Sequence, residues 1–329
     1  MKRILFIYQD EYLPSSRIRV LNLLPELKQY KIFPDAIGYP SKIPEKIKIL
    51  RKLKLFDIVY LQKKLLSPIE NEVYKRLAKK LIFDFDDAIY YRDDTHETLE
   101  SKTRCFKFRH LVKNVDHVVA GNRLLADYTR QFNKNIVIVP SAVETRNNPV
   151  KSYTELSDKV IIGWIGNKGN LHHLKMLSPV FQRLSKNYKI QLNIISNDTI
   201  SIPAVKTKYI TWKLETQEKE IASFDIGIMP LPNNKWTEGK CGYKALQYMA
   251  AAVPPVCSDV GCNNEIVENG KEGFVVSSQE GFYDALCNLI ENKELRMRMG
   301  CNARLKAEKC FSVQVIAKRL ADFLNGLPY

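Results

Sequence analysis

Residues 224–276 read FDIGIMPLPNNKWTEGKCGYKALQYMAAAVPPVCSDVGCNNEIVENGKEGFVV. Asp225–Met229 has the apolar run of a buried strand and stops at Pro230. A loop carrying Gly239 and Gly242 leads into a helix, Tyr243–Ala251, and a second strand, Val253–Ser258, follows. The next loop, Gly261–Asn264, opens a short helix carrying Glu265. Strand, loop and helix thus occur twice in succession, the pattern of a parallel α/β sheet. In such sheets ligands bind beyond the carboxyl ends of the strands, where both loops fall. Glycines at a helix start let backbone N–H groups approach an anion, and the helix dipole favours it there. Lys240 and Lys244 flank the helix start as phosphate-sized point charges, or are ordinary solvated lysines.

Upstream, Val160–Ile165 is a strand ending at Gly166, a helical pattern runs on to Asn187, and Gln191–Ile195 is another strand. The first half repeats the scheme. Arg3–Tyr8, Asp57–Leu61, Leu81–Phe85, His117–Ala120 and Asn135–Val139 read as strands, with helical patterns at Arg17–Gln29, Ser67–Lys79 and Thr98–Asn114. The aperiodic polar stretch Glu144–Ser157 is the expected linker, dividing the chain into domains of 1–150 and 151–329. Ser312–Asn325 is an amphipathic helix with Val315, Ile316, Leu320, Phe323 and Leu324 at helical spacing.

A chain of 329 residues, 45% hydrophobic and 26% charged, can bury a core in each half. The longest apolar stretch, Ala245–Cys257, holds Gln247, Tyr248 and two prolines and falls short of the roughly 20 residues that cross a membrane. The first strand is too short for a signal peptide, so a cytoplasmic location is expected. Seven cysteines without CxxC spacing argue against a disulfide framework or a zinc site. The net charge is +15, and residues 1–150 carry 28 Lys and Arg against 18 Asp and Glu. Such a field attracts nucleic acid, anionic lipid or phosphorylated substrates, but no nucleic-acid-binding motif is present. Gly163, Gly166 and Gly169 have the wrong spacing for a dinucleotide fingerprint.

Three features of the first half bear on chemistry. Pro14–Arg19 follows the first strand, with Ser15 and Ser16 as expected helix caps and Arg17 as a bidentate phosphate ligand or a surface residue. Asp84, Asp86 and Asp87 end an apolar strand, with Asp84 and Asp86 on one face. Clustered carboxylates at a strand end need partners or a function. They contact a substrate, cap the next turn and pair with Arg92, or hold a divalent metal as Asp-x-Asp. Lys42–Lys54 has six basic residues and one Glu, with Ile43, Ile47, Leu50 and Leu53 as an apolar stripe. It reads as a helix suited to an anionic membrane surface, or as a packed helix with a solvated basic face. His172 and His173 lack further metal ligands nearby in sequence.

The stretch from Pro230 to Val276 resembles, in order and spacing, the donor-binding half of the family-4-type retaining glycosyltransferases of the GT-B fold (glycosyl transferases group 1). Val160–Gly166 is similar to the first strand of that half, and Gly121–Val143 to the family's entry into the linker. The resemblance implies two facing Rossmann-like domains. The first, an acceptor domain, binds a glycan or lipid-linked acceptor. The second, a donor domain, binds a nucleotide-diphosphate sugar, and the last helix packs back on the first. It implies no metal, no cofactor beyond the donor, no nucleic-acid partner, and peripheral attachment to the inner face of the membrane through Lys42–Lys54. It assigns Asp86, Asp87 and Lys240 to catalysis, and Arg17, Gly166, Asn167, Lys168, Gly239, Lys244, Gln247, Gly261 and Glu265 to the donor. Two departures stand out. The family's paired glutamates, eight residues apart, fall on Gly239 and Gln247, and Asn167–Asn170 replaces its diphosphate-gripping basic pair. A non-catalytic nucleotide-sugar or glycan-binding relative and a basic nucleic-acid-binding protein are the alternative functions.

Overall fold

The computed structural model describes residues 2–154, 158–203 and 205–328, so the last three positions of the 144–157 linker lie outside it. The chain divides into two compact units. The first takes the chain up to Ala142, the short segment Glu238–Cys241, and everything from Val313 on; the second takes Val143–Thr237 and Gly242–Ser312.

In the first unit six parallel strands form one sheet. They are β1 (Lys2–Tyr8), β2 (Ile32–Gly38), β3 (Ile58–Gln62), β4 (Leu81–Phe85), β5 (His117–Ala120) and β6 (Ile136–Ile138), in the order β2-β1-β3-β4-β5-β6. The sequence pattern missed β2, because Pro34 and Asp35 interrupt its apolar run. Pro34 stands opposite Ile4, and a proline is tolerated there because β2 is an edge strand. One face of the sheet packs Ile4, Phe6 and Ile58 against Val20, Leu23 and the helix Val313–Gly326 through Ile316, Leu320 and Leu324. Each such buried side chain contributes about 1.5–3 kcal/mol. The helix end is fixed by Lys2, whose Nζ donates to the carbonyls of Leu324, Asn325 and Leu327. These are C-terminal acceptors that a cation suits. Burial lowers the pKa of that lysine.

Two local expectations are corrected. Arg17–Gln29 is not one helix: a helical stretch over 14–21 is followed by another over 24–30, with Pro25 in the first turn of the second. Ser15 and Ser16 are not caps. The N-cap position is Leu13, both serines are buried within the turn, and Ser16 Oγ accepts from Asp10 N–H at 3.3 Å and donates to Gln62 Oε1.

The second unit has its own six-stranded parallel sheet: β7 (Val160–Ile165), β8 (Ile190–Ser196), β9 (Thr207–Thr211), β10 (Ile226–Met229), β11 (Pro255–Ser258) and β12 (Phe274–Val276), in the order β12-β11-β10-β7-β8-β9. Successive strands run outward from β7 on one side and from β10 on the other, so the order reverses between them. The helical pattern expected after β7 is split: Lys168–Leu177 is a 3-10 stretch, and the α-helix Ser178–Asn187 follows it. The core joins Ile162, Trp164, Ile194, Ile228 and Val256 to Phe181, Leu184, Leu286 and Leu289 on covering helices.

Candidate active site

Ligand crevices of open α/β sheets lie where the strand order reverses. In the second unit β7 and β10 are paired only at Ile162–Ile226 and Gly163–Gly227. Beyond that they are bridged by Tyr248, whose hydroxyl accepts from Ile165 N–H at 3.2 Å and donates to the Ile228 carbonyl at 3.0 Å. Immediately after β7, Gly166 lies against the Trp164 ring and the Lys244 stem. A Cβ there would come within 2.5 Å of the ring and 3.0 Å of Lys244 Cε. Lys244 Nζ stands 5.4 Å from the Trp164 ring centroid, within cation–π range. The helix Tyr243–Ala250 starts after Gly242, which takes the left-handed conformation (φ 62°) that favours glycine and has no side-chain cap. A glycine, a helix start and a half-buried lysine thus meet at the crevice, a combination suited to phosphate oxygens.

In the first unit the reversal falls between β1 and β3, and charge collects at the adjacent strand ends. Within β4, Asp84 is fully buried and ion-paired to Arg19, whose Nε also donates to it at 3.2 Å. Past the end of β4, Asp86 Oδ1 lies 2.9 Å from Lys63 Nζ. Asp87 Oδ2 lies 2.5 Å from the same ammonium, and Asp87 Oδ1 lies 3.3 Å from Lys240 Nζ. Burial pushes the Asp87 carboxyl up, but the Lys240 and Lys63 charges outweigh it and hold the group at about 2. Burial opposes the charge on Lys63 as well, and the Asp86 and Asp87 carboxylates carry its pKa above the ordinary lysine value. Lys240 is carried by Glu238–Cys241, and Asn122 positions that segment. Its Nδ2 faces the carbonyls of Gly239 and Lys240, each at 3.2 Å, while its Oδ1 caps the helix Arg123–Thr129 through Leu125 N–H at 2.9 Å.

Residues 159–292 match the family model described as Glycosyl transferases group 1. Over those residues the second unit is similar to the group 1 glycosyl transferases. Two curated relatives share 26% identity: Spore coat protein SA of Bacillus subtilis over 136 residues, and the Capsular polysaccharide biosynthesis glycosyltransferase CapM of Staphylococcus aureus over 194. The matches cover 40% and 53% of this chain but only 35% and 48% of those proteins, so the chain spans less than half of either relative. Anabaena Alr3699/HepE, solved in complex with UDP-glucose, superposes with a TM-score of 0.77 over 99% of this chain and 100% of that one, at 12% identity. The fold is GT-B.

The residues singled out in the sequence are not all brought together. Gly166 and Lys244 meet. Asn167 is exposed at the start of the 3-10 stretch, and Lys168 reaches Asp198 at 3.0 Å from an exposed position. Gln247 is buried and its amide faces Gln217 Oε1 at 3.5 Å, which engages the group expected at a ribose. Gly261 adopts φ 66° before the short helix Asn263–Ile266, on which Glu265 is exposed. Gly239 belongs to the first unit, where a Cβ would come within 2.6 Å of Ala88 N. Packing against Ala88 by itself requires glycine there. Arg17 Nη1 donates to the Tyr12 carbonyl at 2.9 Å. The pairing of the aspartates with Arg92 does not occur; that guanidinium donates to Thr98 Oγ1 at 2.8 Å.

Lys63 and Asn122 were missed. A lysine after a strand reads as a surface residue, and an Asn before an apolar helix reads as a cap and nothing more. Also unanticipated is a cavity of about 590 Å³ at the carboxyl ends of β1 and β2, lined by Tyr8, Asp10, Tyr12, Tyr39, Glu45 and Lys48 among others. The helix Ile43–Leu53 borders it with Ile49 and Leu53 buried, while Ile43 and Ile47 face solvent beside Lys48 and Arg51. That is a different inward stripe from the one the sequence suggested. Among the described residues no helix is long and apolar enough to cross a membrane.

Proposed function

We propose that this protein is a glycosyltransferase that moves a sugar, with retention of configuration and without a metal, from a nucleoside-diphosphate sugar to a glycan or lipid-linked acceptor. The observation that carries the reading is the β7–β10 crevice, where Gly166, Lys244 and the start of the helix Tyr243–Ala250 meet inside the segment that matches the group 1 model. The diphosphate is held there by helix-start N–H groups and Lys244, which stabilise the negative charge of the departing nucleotide. Asp86, Asp87 and Lys240 face the transferred sugar or the acceptor hydroxyl. The aromatic and carboxylate lining of the β1–β2 cavity suits a hydroxyl-rich acceptor, and the exposed Ile43 and Ile47 with their basic neighbours suit an anionic membrane surface. Metal independence is supported by the charge balance at the aspartates, where two ammonium groups already neutralise Asp86 and Asp87.

Calorimetric titration with UDP, GDP, ADP and dTDP in EDTA tests the reading. One diphosphate binds without added metal, and Lys244→Met weakens that binding about tenfold or more, the equivalent of roughly 1.4 kcal/mol. Binding of none of the four, with or without Mg²⁺, would remove the donor site.

A further inference from the structure

We propose that Lys63 is a positioning residue for the transfer site: its ammonium fixes Asp86 and Asp87 side by side and, through Asp87, sets the place of Lys240. The role given to the site rests on the function proposed above; the geometry that carries the inference stands by itself. Lys63 follows β3 with φ 59°, a left-handed backbone conformation that glycine adopts without strain and a lysine rarely does. The turn is held by Lys63 N–H on the Asp84 carbonyl at 2.7 Å and by Lys64 N–H on the Gln62 carbonyl at 2.8 Å. This strained backbone turns the side chain into the space between two carboxylates that are consecutive in sequence. One ammonium serves both, at 2.9 and 2.5 Å, and Asp87 is thereby shared between Lys63 and Lys240.

Without that charge, two neighbouring carboxylates repel each other and one of them takes up a proton. Asp87 would then lose the orientation that receives Lys240. The charged groups facing Asp87 are Lys63 and Lys240, with Asp86 beside it on the same ammonium. Lys63 touches no reacting atom in this account. It acts through the carboxylates.

Three variants decide it. Lys63→Asn removes the charge while keeping a residue that tolerates left-handed backbone, Lys63→Gly removes both charge and strain, and Lys63→Arg keeps the charge. Carboxyl-carbon NMR follows Asp87, and steady-state kinetics follows transfer with the diphosphate sugar that binds. In both neutral variants the Asp87 midpoint rises by roughly one unit or more. Their kcat falls about tenfold or more, while KM for the donor stays within about twofold, as for an interaction made only in the transition state. Lys63→Arg recovers most of both, and Lys63→Asn combined with Asp86→Asn returns the Asp87 midpoint toward the wild-type value. An unmoved Asp87 midpoint in Lys63→Gly, or a Lys63→Gly enzyme with undiminished kcat, would overturn the proposal. The NMR arm does not need turnover, so a failure of the proposed activity and a failure of the Lys63 assignment are told apart.

Discussion

The two sheets prepare their carboxyl edges by opposite means. In the first unit the edge is built from charge: Arg19 on Asp84, Lys63 on Asp86 and Asp87, and Lys240 on Asp87. In the second it is built from backbone: Gly166 against Trp164, Gly242 before a helix start, and Tyr248 bridging two strands that part. Buried ion pairs are fragile to the loss of one member, because the survivor stays desolvated and unpaired. A backbone cradle fails differently. Its substitution closes a space and leaves the fold standing. The comparison teaches that stability and chemistry are coupled in the first unit and separable in the second.

The sharpest way to break this contrast is at Arg19. Arg19→Met leaves Asp84 buried without its cation, and urea denaturation should show a loss of about 3–5 kcal/mol. Gly166→Ala is the counterpart. The added Cβ meets the Trp164 ring, so diphosphate binding by calorimetry should weaken about tenfold or more, roughly 1.4 kcal/mol, while the loss in urea stays clearly below that of Arg19→Met. Equal losses of stability at the two sites would erase the distinction.

Acid adds a second test on the charged edge. The Asp87 pKa is depressed, so its contribution is complete above the unfolded value near 3.9 and is lost as pH falls through about 2. A stability titration should therefore show this network contributing in full, with no pH dependence, between roughly pH 5 and 7, and a decline only below about 4. Asn122→Ser is milder. Serine keeps the helix cap but not the amide donor facing the Gly239 and Lys240 carbonyls, and the expected cost is about 1 kcal/mol in urea. Smallest in stability is Ile43→Ser with Ile47→Ser, which should change unfolding by less than about 0.5 kcal/mol per site. The same pair should reduce sedimentation with anionic vesicles, and unchanged sedimentation would count against the membrane surface.

Legibility in the sequence followed local strength of signal. β4 and β7 announced themselves as apolar runs, β4 despite Asp84. β2 did not, because Pro34 and Asp35 are acceptable only where one edge of a strand is unpaired. β9 has only Tyr209 and Ile210 as apolar residues, side by side between polar ones on a half-exposed edge, and β12 has three residues. At the site, the run Asp84–Asp87 stood out because carboxylates are rare at the end of an apolar strand. Its cations did not. Lys63 is contributed by another strand end and Lys240 by a segment more than a hundred residues away, and neither carries a local mark of ion pairing. The crevice glycines and Lys244 were visible as a pattern, whereas the Trp164 ring beneath them was hidden in an ordinary strand.

The central claim is that the nucleotide diphosphate sits on the second sheet. Hydrogen–deuterium exchange of the full chain, with and without the diphosphate that binds in EDTA, tests it directly. The account predicts slowed exchange at Gly166–Asn170 and Tyr243–Ala245. Protection confined to the strands and loops of residues 2–142, with those two segments unchanged, would contradict it.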